Sequence, residues 1–328
     1  MTERRTTRAL GLISGGLDSM LAARLLMEQG VAVTGIAFVT PFFGSAGAEA
    51  AARSVGFPLI VRDITAPHLR IVKDPPSGYG SRMNPCIDCH ALMLRVAGEI
   101  MDAEGFDLLF TGEVLNERPM SQSLRSLNRV ANLSGRRGHV LRPLSARRLE
   151  ETIPEREGKV DRARLLDLEG RSRRRQFELA ARWGIADYPS PAGGCLLTDP
   201  NFSRRLKDLL ERGPEAGVHD LELLKVGRQF RIRDGVKAAV GKNLADNRAL
   251  TALRGPGDLL LRTVGVPGPV MILSGGADAS DIAAAAGICA RYSDGRAGQV
   301  RIVVESDAGA REILADPIAQ AELAARRL

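Results

Sequence analysis

A short apolar segment that runs directly into a glycine-rich loop and then a helix is the feature that constrains this chain most. Residues 9–13 are apolar, Ser14 to Ser19 read Ser-Gly-Gly-Leu-Asp-Ser, and residues 19–29 have the apolar spacing of a helix that Gly30 ends. A strand, loop and helix in this order bring several backbone N–H groups and the positive end of a helix to one point. The pattern predicts a phosphate-binding loop; the alternative is a tight turn followed by an N-capped helix.

Each residue of this loop has an expected part. Gly15 and Gly16 let the backbone approach an anion closely. Ser14 and Ser19 add hydroxyl donors, and Asp18 is a candidate ligand for the Mg²⁺ that accompanies a triphosphate.

Strand and helix patterns alternate after the loop. β-branched strand patterns alternate with helical ones, as in a parallel sheet covered by helices. The predicted fold is therefore α/β, a doubly wound parallel sheet. The predicted strands are residues 31–39, 58–63, 107–111 and 139–144, and the predicted helices are residues 46–55 and 89–104.

The pattern breaks at residues 212–217, which read Arg-Gly-Pro-Glu-Ala-Gly and suggest a linker. Two short strands around an Asp-Gly turn at residues 234–235 then open a second, smaller α+β domain. We predict a first domain at residues 1–212, a second at 218–310, and a C-terminal helix or tail at 311–328.

The charge of the chain favours polyanionic partners. The 328 residues carry a net charge of +7, and residues 136–182 contain 14 basic and 8 acidic residues. A solvated, salt-bridged helical surface is the alternative for this stretch. No run of about eighteen apolar residues or signal-peptide pattern is present, so we expect a cytoplasmic protein without a membrane span.

Ser-Gly-Gly-x-Asp-Ser resembles the signature of the PP-loop ATP pyrophosphatases, which split ATP into AMP and pyrophosphate by adenylating a substrate oxygen. The resemblance implies that adenine lies near Ile36 and Phe38 at the end of the second strand. It also implies that Gly112 and Glu113, after the strand at 107–111, line the opposite side of the cleft, with Glu113 a catalytic candidate. Arg118 follows closely and is a candidate clamp for a phosphate of ATP.

Three cysteines indicate a group within that superfamily. Cys86 and Cys89 form a Cys-x-x-Cys before a helix, and Cys195 closes the loop at residues 190–194. This pattern resembles the iron-sulfur-dependent tRNA thiolases, which implies that the three thiolates ligate a [4Fe-4S] cluster and that Cys89 and Cys195 are catalytic. Zinc, with His90 as a further ligand, a persulfide on Cys89 or Cys195, and a purely structural role are the alternatives. Cys289, in an alanine-rich segment, is expected in the core.

Residues 228–306 resemble the RNA-binding module of the NFACT ribosome quality-control proteins, although a dimerisation or packing module is an alternative. Basic side chains neutralise phosphates, so several are candidate RNA contacts. They are Arg173, Arg174, Arg175, Lys237, Lys242 and Arg248.

The combined pattern predicts a tRNA sulfurtransferase that adenylates a uridine carbonyl oxygen with ATP and replaces it with sulfur. Its expected partners are tRNA and a sulfur donor, either sulfide or a carrier protein, and a homodimer is possible. A PP-loop enzyme that amidates or thiolates a small molecule and a non-catalytic RNA-binding factor are the alternatives.

Overall fold

The computed structural model describes residues 6–118, 120–189 and 194–328, which divide into two compact units at residues 1–198 and 199–328. Residues 199–212, which the sequence assigns to the first domain, belong by their contacts to the second unit, where Phe202, Leu206 and Leu209 are buried.

The first unit contains a five-stranded parallel sheet in the order β3-β2-β1-β4-β5. Its strands are β1 (Arg8–Leu12), β2 (Ala32–Val39), β3 (Leu59–Asp63), β4 (Leu108–Thr111) and β5 (Val140–Leu141). Its helices are α1 (Leu17–Met27), α2 (Ala46–Val55), α3 (Thr65–Lys73), α4 (Cys86–Glu104), α5 (Leu124–Leu133), α6 (Ile153–Arg156) and α7 (Arg174–Arg182).

Helices cover both faces of this sheet. Apolar residues of α1, α2 and α7 form one core cluster with the sheet, and residues of α4 and α5 form another on the opposite face. β4 is buried along its whole length, as parallel strands with two covered faces are. The predicted doubly wound α/β fold is confirmed.

The second unit contains a six-stranded antiparallel sheet in the order β11-β10-β8-β9-β7-β6. Its strands are β6 (Arg228–Arg233), β7 (Val236–Val240), β8 (Leu259–Val264), β9 (Val270–Ser274), β10 (Val300–Ser306) and β11 (Gly309–Ala315). Its helices are α8 (Pro200–Arg212), α9 (Val218–Lys225), α10 (Leu244–Leu253), α11 (Ala279–Arg291) and α12 (Gln320–Arg326). Helix α11 packs in one core cluster of the sheet, and α9 and α10 contribute to another.

The segment expected as a C-terminal helix or tail is part of this sheet. Residues 309–315 pair in antiparallel register with β10, and α12 follows. Its backbone returns to β6, where Phe230 pairs with Arg327 in an isolated bridge and the Leu328 N–H donates to the Gln229 carbonyl. Among the described residues, the structure contains no helix with the length and apolarity needed to cross a membrane.

Candidate active site and nucleic-acid interface

The Ser14–Ser19 loop connects β1 to α1, as predicted. Gly15 has a φ of +83°, and a Cβ there would lie 2.3 Å from the Gly47 carbonyl carbon, so only glycine fits. Gly16 is less restricted by its own backbone, and its role in close approach to an anion stays a prediction. It is the N-cap of α1 with a φ of −76°, a conformation open to any residue. Hydrogen bonds from the Gly16 N–H to Ser14 Oγ and from Ser19 Oγ to the Gly16 carbonyl hold the loop.

Gly112, which follows β4, lies directly against the phosphate loop. A Cβ on Gly112 would come within 2.4 Å of the Ser19 backbone nitrogen and 2.6 Å of the Asp18 carbonyl carbon. The segment after β4 and the start of α1 therefore depend on each other's position. Gly112 and Asp18 lie at one end of the sheet, the carboxyl ends of parallel strands, where open α/β folds bind ligands.

Asp18 is paired with a basic residue from a distant part of the chain. Arg173 Nη2 lies 3.4 Å from Asp18 Oδ2, and Arg173 Nε lies 3.4 Å from Glu117 Oε1. Burial raises the pKa of Asp18, and the positive charges of Arg173 and then Arg118 oppose that rise. Asp18 Oδ1 and Arg173 Nη1 are buried without a hydrogen-bond partner among the described residues.

The arginine run was predicted as an RNA surface, and the structure corrects this for Arg173. Its side chain is only 12% exposed and turns towards the phosphate loop, because two carboxylates there attract it. Arg174 and Arg175 are exposed, but they form ion pairs with Glu178 and Asp167. Their role in RNA binding stays a prediction.

Cys86 and Cys89 lie in the first turn of α4. Asn84 Nδ2 donates a 3.1 Å hydrogen bond to Cys86 Sγ, and Asp88 accepts hydrogen bonds from the Ser77 N–H at 2.8 Å and Ser77 Oγ at 2.6 Å. Asp88 thereby fastens the loop that precedes the cysteine pair. Cys86 remains partly exposed, whereas Cys89 is buried.

Cys195 is brought to the same region by a backbone hydrogen bond from the Leu196 N–H to the Phe42 carbonyl, at 3.0 Å. The remaining residues of the predicted loop, 190–193, lie outside the described residues, as does Pro119 beside Arg118. Burial raises the pKa of Cys89 far above its usual range, and Cys195 and Cys86 add to the rise. Burial also raises the pKa of Cys195 to about 11. The three thiols therefore lie within electrostatic range of one another.

Whether Cys86, Cys89 and Cys195 fit a metal group depends on the chemistry of their donor atoms. Three thiols are the donor set of a [4Fe-4S] cluster with one open iron. Within residues 6–118, 120–189 and 194–328, no group of three or more Cys, His, Asp or Glu side chains is arranged to hold a metal ion. His90, the further zinc ligand that the sequence suggested, instead contacts Glu113.

Glu113 is the centre of a buried polar network. Its carboxylate accepts hydrogen bonds from Arg142 Nε at 3.0 Å and Thr111 Oγ1 at 2.9 Å, and it lies 3.2 Å from His90 Nδ1. Burial raises its pKa, but Arg142, His90 and Thr111 outweigh burial and lower the pKa to about 2. Glu113 is thus a carboxylate at neutral pH and cannot act as a general acid there. It links the segment after β4 to the residue that follows Cys89.

Ile36 and Phe38 were expected beside adenine, and the structure corrects this for their side chains. Ile36 is 0% and Phe38 6% exposed, because both belong to the core cluster between β2 and α4. A nucleotide cannot contact the Ile36 side chain. Cys289 lies in the core of the second unit, as predicted.

The basic candidates of the second unit are placed differently from one another. Lys242, two residues before α10, and Arg248, in the second turn of α10, are exposed. Lys237 was expected on an RNA surface, and this is wrong for the structure as it stands. All five residues of β7 are buried, and burial lowers the pKa of Lys237 to about 8.

Sequence reasoning did not identify Arg142, Phe42 or Asn84 as parts of the site. Arg142 directly follows β5, and the end of a parallel strand is a position at which a polar residue is a signal. Asn84 lies two residues before Cys86. Phe42 contributes through its backbone carbonyl, so no sequence signal could have found it.

Comparisons with known proteins agree with both halves of this description. Residues 5–154 match the family described as thiamine biosynthesis protein (ThiI), and residues 227–326 match the family described as NFACT protein RNA binding domain. A tRNA-specific 2-thiouridylase MnmA of Streptomyces coelicolor is 27% identical over 270 residues, which cover 73% of this chain and 69% of the relative. A tRNA sulfurtransferase of Desulfurococcus amylolyticus is 28% identical over 218 residues, which cover 62% of this chain and 39% of the relative.

Among solved structures, a 4-thiouridine synthetase in complex with RNA and ATP is 20% identical with a TM-score of 0.36, over 67% of this chain and 52% of that chain. The chain spans 69, 43 and 45% of the lengths of the first three curated relatives. Residues 5–154, which contain the phosphate loop and the Cys86–Cys89 pair, therefore match a ThiI-type domain, and residues 227–326 match an NFACT-type RNA-binding domain.

Proposed function

We propose that this chain is an ATP-dependent tRNA sulfurtransferase that converts a uridine carbonyl to a thiocarbonyl. The observation that carries the proposal is that the segment after β4 contacts both the phosphate loop and the helix of the cysteine pair. Gly112 packs against Asp18 and Ser19, and its neighbour Glu113 contacts His90, the residue after Cys89. The phosphate loop and the helix that carries Cys86 and Cys89 therefore both contact the segment after β4.

In the first step, the uridine carbonyl oxygen attacks the α-phosphorus of ATP. An O–P bond forms, the bond to the β-phosphate oxygen breaks, and pyrophosphate leaves with the electron pair. The loop N–H groups at the start of α1 bind the phosphates. Asp18 would hold the Mg²⁺ that neutralises them, and its unpartnered Oδ1 suits that role.

In the second step, a hydrosulfide attacks the activated carbon. A C–S bond forms, the C–O bond to AMP breaks, AMP leaves with the oxygen, and the sulfur proton passes to water. Cys86, Cys89 and Cys195 would hold a [4Fe-4S] cluster, which supplies an open iron at which sulfide binds. The donor of that sulfide is either free sulfide or a carrier protein.

The acidities of the thiols favour ligation over a free persulfide route. Nucleophilic cysteines have lowered pKa values, whereas burial raises those of Cys89 and Cys195. Coordination to a metal offsets that cost because the ligand is bound as the thiolate. The free cysteines also suit the reducing cytoplasm, where we place the reaction.

The proposal is tested by nucleoside mass spectrometry of tRNA from a deletion strain complemented with cysteine variants. We expect Cys86→Ser, Cys89→Ser and Cys195→Ser each to abolish one thionucleoside, and the matched control Cys289→Ser to retain it. Unchanged thionucleosides in all three variants would rule out sulfur transfer. Anaerobically purified protein without iron, but with activity dependent on Cys89 and Cys195, would favour the persulfide route.

A second candidate is sulfur insertion into a small molecule, favoured by the description of the matched family as a thiamine biosynthesis protein. The two candidates differ in what triggers pyrophosphate release. The tRNA reaction requires release that depends on added tRNA, and the small-molecule reaction requires release without it. A non-catalytic RNA-binding factor would release none in either case.

A further inference from the structure

The second unit contains a strongly basic cavity that none of the predicted RNA contacts line. Its volume is about 950 Å³, and its lining includes four arginines and no acidic side chain. The arginines come from α8, from α11 and the loop after it, and from the residue after α12. They are Arg204, Arg291, Arg296 and Arg327.

Most of the positive charge around this cavity is not neutralised by the protein. Six arginines elsewhere in the unit form ion pairs with Asp or Glu, namely Arg212, Arg231, Arg233, Arg254, Arg262 and Arg326. Arg204, Arg296 and Arg327 have no such partner within residues 194–328, and Arg291 Nη2 donates to Gln320 Oε1. Gathering like charges in a concave surface costs repulsion that a bound polyanion would relieve.

A fifth cation lies beside the cavity. The Arg228 guanidinium lies 4.6 Å from the centre of the Tyr292 ring, and Tyr292 lines the cavity. This stacking orients Arg228 without neutralising it, because the ring carries no net charge.

The arginines are carried by ordered backbone. The Arg327 segment is held at the edge of β6 by its bridge to Phe230 and by the hydrogen bond from the Leu328 N–H to the Gln229 carbonyl. Arg326 Nη1 also donates to the Ile232 carbonyl at 2.5 Å. Arg291 lies in the last turn of α11. Helix or bridge backbone thus holds Arg204, Arg291 and Arg327 before any ligand binds, whereas Arg296 lies in the loop after α11.

We propose that this cavity binds the phosphate backbone of the RNA substrate; the inference rests on the proposed function. Arginine matches phosphate geometry with two parallel hydrogen bonds, and several arginines around one cavity match a chain of phosphates. A cavity of about 950 Å³ is far larger than one phosphate group, which favours a polyanion over a single small anion.

The test is tRNA binding by the full chain, measured by fluorescence anisotropy over a series of KCl concentrations. The variant Arg204→Ala/Arg296→Ala is compared with Arg254→Ala/Arg262→Ala, which removes the same charge from exposed ion pairs in the same unit. We expect the first variant to weaken binding roughly tenfold or more, and to reduce the slope of log K against log[KCl] by about 0.7 to 0.9 for each phosphate that is left without its arginine. The control variant should keep the wild-type affinity and the wild-type slope. The variant Arg204→Lys/Arg296→Lys should restore most of the slope.

Three outcomes would overturn the inference. In the first, the cavity variant binds tRNA as tightly as the control variant does. In the second, a Lys242→Ala/Arg248→Ala variant loses the salt dependence and the cavity variant does not. Inorganic phosphate could bind saturably and depend on Arg204 and Arg296 while tRNA binding does not, which would assign the cavity to a small anion. Failure of the wild-type chain to bind any tRNA would instead refute the proposed function. If the wild-type chain binds tRNA with a steep salt dependence and the cavity variant binds it equally well, this inference alone is refuted.

Discussion

Arg173 Nη2 and Asp18 Oδ2 lie 3.4 Å apart, so the N-cap residue of the arginine-rich α7 neutralises the acid of the phosphate loop. Arg173 Nη1 is buried and has no hydrogen-bond partner among the described residues, so under the proposed function it is a donor available to a phosphate of ATP. A charge-assisted hydrogen bond of this kind contributes about 1.5 to 3 kcal/mol.

We therefore expect Arg173→Ala to reduce ATP-dependent pyrophosphate release by roughly 10- to 100-fold, the factor that corresponds to this energy. Arg174→Ala, which breaks only an exposed pair with Glu178, is the matched control and should change release less than about twofold. Equal effects of the two substitutions on release would show that Arg173 acts only through the general charge of the run.

Alanine substitution at two glycines, Gly112 and Gly16, should affect ATP binding to different extents. In Gly112→Ala the new methyl group would overlap the Ser19 backbone, so the start of α1 must shift. In Gly16→Ala the nearest atom is Ser14 Oγ at 3.4 Å, an ordinary contact. We expect Gly112→Ala to weaken ATP binding roughly tenfold or more, and Gly16→Ala to bind ATP nearly as the wild type does. Isothermal titration with ATP checks both; the reverse order would contradict this geometry.

The parts of the site that lie next to each other in the chain could be predicted from sequence. The loop at residues 14–19 is a local strand-loop-helix pattern, and the Cys-x-x-Cys pair needs only the start of one helix. Arg173 could not be assigned, because three consecutive arginines look alike until the fold turns one towards Asp18. Its role depends on a contact between residues far apart in the chain.

Burial set the other limits of prediction. Ile36 and Phe38 were placed correctly near the end of β2, but a strand pattern does not say which side chains a helix on that face will cover. Lys237 follows Val236 and precedes two alanines in a strand that is buried on both faces. A lysine among small apolar residues was a signal of burial, although the hairpin around residues 234–235 made exposure the simpler expectation.

Glu113 is expected to stabilise the fold more than it contributes to proton transfer. Glu113→Gln would leave Arg142, whose side chain is 8% exposed, without its carboxylate. Breaking a buried pair of this kind costs about 3 to 5 kcal/mol, and we expect that loss in the free energy of unfolding measured with urea at pH 7. Glu178→Gln, in an exposed pair with Arg174, should cost less than about 1 kcal/mol.

The Glu113–Arg142 ion pair should also make the stability of the fold depend on pH in the acidic range. The folded pKa of Glu113 is about 2, below the usual 4.5, so its contribution is complete above pH 4.5 and is lost as pH falls towards 2. The difference in stability between wild type and Glu113→Gln should therefore shrink over that interval. A difference that stays constant from pH 6 to pH 3 would contradict the assigned ion pair.

Lys237 should destabilise the second unit at neutral pH. Its ammonium is buried, and Nζ has no hydrogen-bond partner among the residues described. Lys237→Met keeps a flexible chain of similar length and removes the charge, so we expect it to raise the free energy of unfolding at pH 7 by about 1 to 3 kcal/mol. Lys242→Met, at an exposed position, is the matched control and should stay within about 0.5 kcal/mol of wild type.

The pH dependence separates this effect from a simple gain in apolar packing. Burial lowers the pKa of Lys237 from 10.5 to about 8, so between these values the unfolded chain binds more protons than the folded one. The contribution of Lys237 to stability therefore rises as pH increases from 8 to 10.5, and the advantage of Lys237→Met should narrow over that range. Urea denaturation at pH 7, 8.5 and 10 measures it; an advantage that is the same at all three values would mean that folding does not lower the pKa of Lys237.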